Sequence, residues 1–209
     1  AQNDSGRRVS NVVIMGIGEP LDNYENTVRF LRLVNHPKGL NIGYRHISLS
    51  SCGLADKILS LAKENLPLTL SVSLHAARDD IRSSIMPVNR KWNIDALMRA
   101  CADYFRATGR RISFEYTLIP GKNDSLSDAD ELASLLYKYM SPVGAPLHVN
   151  LIPVNAVEER EITKGAPRAA EAFAEMLEKR RITATVRRRL GADINASCGQ
   201  LRRAADKKV

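Results

Sequence analysis

Stretches with the alternation of a half-buried strand recur along the chain, and each is followed by a stretch with helical spacing. Residues 68–74 and 111–119 alternate apolar and polar side chains, which gives each predicted strand one buried face. The apolar residues of 94–105 recur at helical spacing, and Gly109 is predicted to end that helix. Repeated strand–helix units imply right-handed crossovers and a parallel α/β sheet. Polar residues on one face of several strands favour an open barrel whose interior holds a polar ligand.

The remaining elements continue the same alternation. Shorter strands are predicted at residues 11–15, 46–50, 147–152 and 182–187. Helices are predicted at residues 24–34, 55–62 and 170–177, and a capped helix start at 127–130. We divide the chain into a barrel core over residues 1–187 and a basic tail over residues 188–209. Because residues 1–10 are polar and no strand–helix unit precedes the first strand, we expect a chain whose start has been cut away.

The first apolar run ends in the sequence Gly-Ile-Gly-Glu-Pro at residues 16–20. Gly16 and Gly18 let the backbone turn sharply and approach a ligand closely, and Pro20 fixes the exit of the loop. Ligands bind at the carboxyl ends of the strands in folds of this class. Glu19 is therefore expected where its carboxylate can hold an amine. The alternative is a tight strand-to-helix turn with a solvated glutamate.

Three further candidate groups lie at, or point toward, the carboxyl ends of predicted strands. Residues 50–53 end the second strand, Ser73, Leu74 and His75 end the third, and Asn150 lies on a later strand. Each alone is compatible with an ordinary role: local hydrogen bonds for the hydroxyls, a loop cap for His75, a satisfied core amide for Asn150. The carboxyl ends of parallel strands meet at one edge of the sheet, which we call the mouth. A ligand there would contact a carboxylate, hydroxyls, an imidazole and an amide. That set suits a zwitterion that carries a ribose.

The three cysteines are too far apart for a disulfide framework or a metal clip, and a reducing, cytoplasmic setting fits them best. Cys101 falls on an apolar helix stripe and is predicted to be a core residue, whereas a structural role is favoured for Cys52. Cys198 lies beside Gly199 among small residues, and the arginines around it favour its thiolate. A lone cysteine in a basic tail is usually inert, so context decides whether Cys198 is a nucleophile.

The formal net charge of +8 favours a polyanionic partner, although a solvated basic surface would give the same count. No apolar run approaches the length needed to span a membrane, and we expect no membrane partner.

Six stretches together carry a resemblance to a known family. They are MGIGEPL at 15–21, ISLSSCG at 47–53, SLHA at 73–76, IMPVN at 85–89, NLIP at 150–153 and GADINASCGQL at 191–201. With these stretches in family order, the chain resembles the bacterial radical S-adenosylmethionine (SAM) enzymes that methylate carbon 2 of adenosine in 23S ribosomal RNA and in transfer RNA. The last stretch is the most specific, because Gly-Glu-Pro alone would indicate only radical SAM enzymes in general.

The resemblance implies roles for these positions. Gly18 and Glu19 would hold the amino group of the methionine part of SAM, and the rest of the cofactor site would be lined by Ser50, Ser73, Leu74, His75 and Asn150. Cys198 would be the catalytic cysteine that receives a methyl group from one SAM. A 5′-deoxyadenosyl radical from a second SAM would take hydrogen from that methyl group, and the methylene radical would add to adenine. A second cysteine would then resolve the protein–RNA adduct through a disulfide.

The chain departs from the family in lacking the C-x-x-x-C-x-x-C loop that holds a [4Fe-4S] cluster, so no metal ligands are assigned. The resemblance places the cluster, the first barrel strand, the resolving cysteine and an N-terminal RNA-binding region in a longer parent enzyme, so this chain is expected to be a partial barrel with the first strand missing. The expected partners of that parent are 23S rRNA, tRNA and a flavodoxin-like electron donor, and a monomer is expected. The chain by itself is not expected to catalyse methylation.

Three alternatives stay open at this point. The nearest is a resistance-type relative that methylates carbon 8 of the same adenosine, since it shares these motifs. The second is a non-catalytic RNA-binding module built on an inactive barrel, which would bind RNA without binding SAM. The third is an aldolase-like barrel, which predicts a Schiff-base lysine at a strand end; none of the predicted strands carries a lysine.

Overall fold

Six parallel strands form one open sheet whose strand order follows the chain from β1 to β6. The computed structural model describes residues 6–15, 18–153 and 166–187. Each strand occupies one of the stretches with apolar or alternating character, within two residues at either end. The strands are β1 (Val12–Ile14), β2 (Ile47–Ser51), β3 (Thr69–Ser73), β4 (Ile112–Leu118), β5 (His148–Pro153) and β6 (Thr183–Val186).

Helices alternate with the strands, as expected for a parallel sheet joined by crossovers. One face of the sheet is apolar and packs against them: Tyr116 on β4, for example, contacts the ring of Phe173 at a centroid distance of 5.2 Å. None of the described helices is long and apolar enough to cross a membrane. The helices are α1 (Tyr24–Asn35), α2 (Ala55–Lys63), α3 (Asp79–Ile85), α4 (Ile94–Thr108), α5 (Leu126–Met140) and α6 (Ala166–Lys179).

The other face of the sheet is polar, and the strand register aligns its side chains in rows. One row runs from Ser73 through Glu115 and Asn150 to Thr185, across β3 to β6. A neighbouring row begins at Ser50 and continues through Ser71 and Ser113. The predicted open α/β barrel with a polar interior face is confirmed by this arrangement.

Two local predictions differ from the structure. The capped helix start at residues 127–130 is wrong by two residues, because Ser125 is the N-cap: its hydroxyl accepts the Asp128 N–H at 3.2 Å, and the Asp128 carboxylate accepts the Ser125 N–H at 3.0 Å. The stretch after β3, for which the sequence analysis gives no helix, contains α3 and a 3₁₀ turn at Pro87–Arg90. The C-cap at Gly109 is confirmed, with a φ of 60°.

Gly53, directly after β2, has no room for a side chain. Its φ is +104°, and a Cβ there would lie 3.0 Å from Arg82 Nη2 and 3.1 Å from the Leu97 side chain. Gly144 also has a positive φ, +71°, but a Cβ there would meet nothing within 4 Å. Alanine substitutions at the two glycines can therefore distinguish the energetic cost of a strained backbone from the cost of overpacking.

We expect Gly53→Ala to lower the free energy of unfolding by roughly 2–4 kcal/mol, about 1 from the unfavourable backbone and the rest from overpacking. Gly144→Ala should cost only the backbone part, about 1 kcal/mol. Urea denaturation of both variants measures the difference. Equal costs would show that the space above Gly53 is not restrictive.

Candidate functional site

The Glu19 carboxylate lies at the carboxyl end of β2, where two backbone amides fix its orientation. Its Oε2 accepts the Cys52 N–H at 2.6 Å, and its Oε1 accepts the Leu21 N–H at 3.0 Å. A carboxylate has about four acceptor sites, so two remain for a ligand. The sequence places Glu19 beside Gly18, whose φ of +91° is one that glycine adopts without strain. The arrangement can present a negative charge to an ammonium group.

The Cys52 peptide group is held from its other side by Arg82, a residue that the sequence analysis did not select. Arg82 lies on α3 and is completely buried. Its Nη2 donates to the Cys52 carbonyl at 2.8 Å and to the Ser73 carbonyl at 3.0 Å, and its Nε donates to the Leu74 carbonyl at 3.0 Å. Burial lowers the pKa of Arg82, although a guanidinium stays protonated in proteins. One buried cation thus joins the carboxyl ends of β2 and β3.

A side-chain network fixes the Arg82 guanidinium in place. Its Nη1 donates to Asn89 Oδ1 at 2.8 Å, and the Asn89 amide nitrogen donates to Asp79 Oδ1 at 2.8 Å and to the Ser83 hydroxyl at 2.9 Å. The Asp79 carboxylate also accepts the Ile94 N–H at the start of α4, at 2.9 Å. The stretch 85–89, which carries part of the family resemblance, therefore supplies in Asn89 the residue that orients Arg82.

Glu115 and Asn150 are joined on the polar face of the sheet, next to Ser73. Asn150 Nδ2 donates to Glu115 Oε2 at 2.6 Å, and the Ser113 hydroxyl donates to Glu115 Oε1 at 3.2 Å. Burial raises the pKa of the Glu115 carboxyl, and the hydrogen bonds from Asn150 and Ser113 oppose that shift. The register places Ser73 beside Glu115 on the neighbouring strand. Ser73 and Asn150, both predicted site residues, thus flank a buried carboxyl that was not selected.

The polar network continues from Ser113 toward the amino end of the sheet. Ser113 Oγ lies 3.1 Å from His148 Nδ1, and His148 Nε2 lies 3.2 Å from the Thr185 hydroxyl. The five polar groups from Asn150 to Thr185 are therefore connected within the sheet's polar face. This connection rigidifies the surface on which a ligand at the mouth would rest.

His75 occupies the left-handed region, with a φ of 59°, directly after β3. Its Nδ1 accepts the Thr117 N–H at 3.0 Å, its carbonyl accepts the Asn123 amide at 2.6 Å, and its N–H donates to the Glu115 carbonyl at 3.2 Å. Since Nδ1 is an acceptor, the imidazole proton is on Nε2. That N–H is the one group of the ring that can donate to a ligand.

The other predicted site residues have less direct placements. Leu74 is fully buried. Its N–H donates to the Glu115 carbonyl, and its carbonyl accepts from Arg82, so its backbone helps to hold the ends of the strands together. Ser50 lies on the polar face beside Ser71. The structure therefore brings Ser73 and Asn150 close to each other around Glu115, and Glu19 to the end of β2.

The described cysteines do not form a cluster site. Cys101 is completely buried on α4, as predicted, and burial raises the pKa of its thiol to about 12. Cys52 is partly buried, and burial followed by its contact with Glu19 raises the pKa of its thiol to about 12 as well. No group of three His, Cys, Asp or Glu side chains in the described ranges is arranged to hold a metal ion, so these residues do not fit an iron–sulfur cluster. Cys198 lies outside the described residues, as do Gly16 and the tail 188–209.

Burial, with the charge of Arg82 adding to it, lowers the pKa of His75 from 6.5 to about 4. The folded chain therefore keeps His75 neutral, while the unfolded chain protonates it below its ordinary pKa. Stability from the neutral imidazole is complete above pH 6.5 and is lost as the pH falls toward 4, at about 1 kcal/mol per pH unit.

His75→Asn should remove that pH dependence, because asparagine tolerates a positive φ and offers Oδ1 to the Thr117 N–H without titrating. Urea denaturation of both proteins at several pH values between 7.5 and 5 measures the effect. As the pH falls, we expect the free energy of unfolding of the unmodified chain to decrease toward that of the variant. A constant difference between them would show that His75 titrates normally in the folded chain.

Comparison with known proteins bears directly on this arrangement. The family model of the radical SAM superfamily matches residues 4–136. The probable dual-specificity RNA methyltransferase RlmN of Desulforamulus reducens is 50% identical to this chain over 207 residues, which is 99% of the chain. The protein of the same name from Pelotomaculum thermopropionicum is 52% identical over 200 residues, which is 96% of the chain. The chain spans 57% and 53% of those proteins, so it corresponds to little more than half of their length.

Solved structures agree with the sequence relatives. A radical SAM methyltransferase from Sphaerobacter thermophilus is 44% identical and superposes with a TM-score of 0.86, covering 95% of this chain and 56% of that one. SuiB from Streptococcus suis, at 17% identity and a TM-score of 0.59, shares the fold. The open parallel sheet, the Glu19 loop after β1 and the match over residues 4–136 lead to one conclusion: the chain belongs to the radical SAM superfamily.

Proposed function

We propose that this chain is the SAM-binding core of a dual-specificity RNA methyltransferase that methylates carbon 2 of adenosine in 23S rRNA and in tRNA. The observation that carries the proposal is the placement of Glu19 at the end of β2 and of Ser73 and Asn150 on either side of Glu115 on the polar face, in a chain about half identical to RlmN enzymes. The complete activity belongs to the longer protein, because this chain spans little more than half of those relatives.

The polar face fits SAM by the chemistry of its groups. The oriented Glu19 carboxylate suits the SAM ammonium group, and hydrogen bonding to a charged group is among the stronger polar interactions. The connected Glu115–Asn150 pair and the His75 Nε2–H suit the hydroxyls and ring nitrogens of a nucleoside. SAM supplies a methyl group when bound, and this chain's residues bind and orient it.

Cys198 is proposed to accept that methyl group. Transfer to Cys198 would form a carbon–sulfur bond at its thiolate as the methyl–sulfonium bond of bound SAM breaks, with S-adenosylhomocysteine as the leaving group. The described cysteines are poor candidates for this step, because burial raises the pKa of both thiols to about 12. Cys198 lies among small residues with arginines nearby in sequence, a composition that favours a thiolate.

The Glu19 role is tested by calorimetry on this chain with two ligands. We expect Glu19→Ala to weaken SAM binding by about 1.5–3 kcal/mol, the magnitude of a hydrogen bond to a charged group. Binding of 5′-methylthioadenosine, which lacks the amino-acid part, should be unchanged by the same substitution. Glu25→Ala, an exposed acid on α1, is the control and should alter neither affinity. Equal loss for both ligands would mean that Glu19 does not contact the amino group.

The Cys198 role is tested in the full-length protein that contains this chain. Cys198→Ala should abolish adenosine methylation and leave SAM affinity unchanged, whereas Cys101→Ala should cost about 1 kcal/mol of stability and leave methylation intact. Peptide mass spectrometry should find one added methyl group on the peptide that contains Cys198. Chromatography of the digested RNA identifies the product nucleoside. Methylation at carbon 8, or a methyl group on Cys52, would contradict the proposal.

A further inference from the structure

The loops that precede the strands carry a strong excess of positive charge. They comprise residues 6–11, 36–46, 64–68, 109–111, 141–147 and 180–182. In these loops Glu64 is the one acidic residue, against eight lysines and arginines: Arg7, Arg8, Lys38, Arg45, Arg110, Arg111, Arg180 and Arg181. The loops that directly follow β1 to β4 hold three acidic residues against two basic ones: Glu19, Asp22 and Asp124 against Arg78 and Lys122. Among the loops compared, positive charge therefore predominates at the amino ends of the strands and not at the carboxyl ends of β1 to β4.

Several of these cations form none of the ion pairs found within the described residues. Lys38, Arg45, Arg111 and Arg181 are exposed and form none of the ion pairs found there, and we call these four residues the amino-end rim. Other arginines do form ion pairs, as Arg99 does with Asp95 at 2.7 Å. None of the ion pairs found in the described part of the chain neutralises the charge of the amino-end rim.

The strand order spaces the arginines of the rim evenly. Arg45 precedes β2, Arg111 precedes β4 and Arg181 precedes β6, so two strand spacings, about 10 Å, separate each from the next. Burial, and then the charge of Arg111, lower the pKa of His148 at the start of β5, which places the Arg111 guanidinium along this edge. Three exposed arginines spaced along one edge of the sheet suit a polymer with regularly repeated phosphates.

We propose that the amino-end rim binds the phosphate backbone of an RNA. The rim lies at the amino ends of the strands, and the SAM-binding mouth lies at their carboxyl ends. The choice of RNA among polyanions rests on the proposed function. β4 has seven residues, so the rim lies roughly 20 Å from the mouth. A large folded RNA can contact both ends at once, while a short oligonucleotide can contact only one. The rim would therefore add affinity for large RNA without reading its sequence.

The test is the salt dependence of RNA binding by this chain. A variant with Arg45→Gln, Arg111→Gln and Arg181→Gln is compared with a control that carries Arg29→Gln, Arg99→Gln and Arg168→Gln on three helices. Both variants lose three positive charges. Fluorescence anisotropy with a labelled tRNA gives the slope of log K against log salt. Each lost phosphate contact lowers that slope by about 0.7–0.9, so we expect the rim variant to lose about 2–3 and the control less than about 1.

Equal slopes for the two variants, or no RNA binding by the unmodified chain, would overturn the proposal. Phosphatidylserine vesicles distinguish a membrane surface: loss of vesicle binding by the rim variant with RNA binding unchanged would also overturn it. SAM calorimetry on the same variant should match the unmodified chain, which separates the rim from the mouth. If the triple variant unfolds, the three single variants each should lower the slope by about 0.7–0.9. If the rim variant lowers the salt slope of RNA binding but the unmodified chain binds no SAM, the proposed function is rejected and the RNA-binding role of the rim stands.

Discussion

The mouth of this sheet depends on one buried cation, the Arg82 guanidinium. It has no exposed surface, and its hydrogen bonds go to neutral oxygens of Cys52, Ser73, Leu74 and Asn89. A charge withdrawn from water is costly unless all its donors find partners, so the position of this group is strongly constrained. The carbonyls that it binds are those where β2 and β3 end. Arg82 thereby sets the distance between the two strand ends that frame the candidate SAM site.

Arg82 is connected to the Glu19 carboxylate through one peptide group, that of Cys52. The Cys52 carbonyl accepts from Arg82, and the Cys52 N–H donates to Glu19. Movement of α3 would therefore shift the Cys52 peptide and rotate the Glu19 carboxylate with it. Such support of a binding group by buried neighbours is what holds a site in a productive geometry. Glu19 is a loop residue, but its orientation is determined by a helix on the other side of β2.

The sequence predicted the alternation of strands and helices, the parallel sheet and the polar strand face, because these follow from local periodicity. It did not reveal Glu115 or Arg82. A glutamate on an alternating strand and an arginine in Asp-Asp-Ile-Arg have the composition of solvated surface, and only the pairing of β4 with β5, and the packing of α3 against two strand ends, bury them. Ser125 was missed as the N-cap because Ser125 and Ser127 each precede an aspartate by three residues, so both fit the pattern of a capping box.

The fit between Gly53, Arg82 and Asn89 has an evolutionary consequence. A side chain at residue 53 would collide with the guanidinium, and the guanidinium needs the amide of residue 89 to fix its plane. Alanine at residue 53 would press on the guanidinium, and loss of the residue 89 amide would leave Nη1 without this acceptor. Substitutions at one of these positions should therefore be accompanied by compensating changes at the others. Gly53 is remote in sequence from Arg82 and Asn89, yet the three positions are expected to change together.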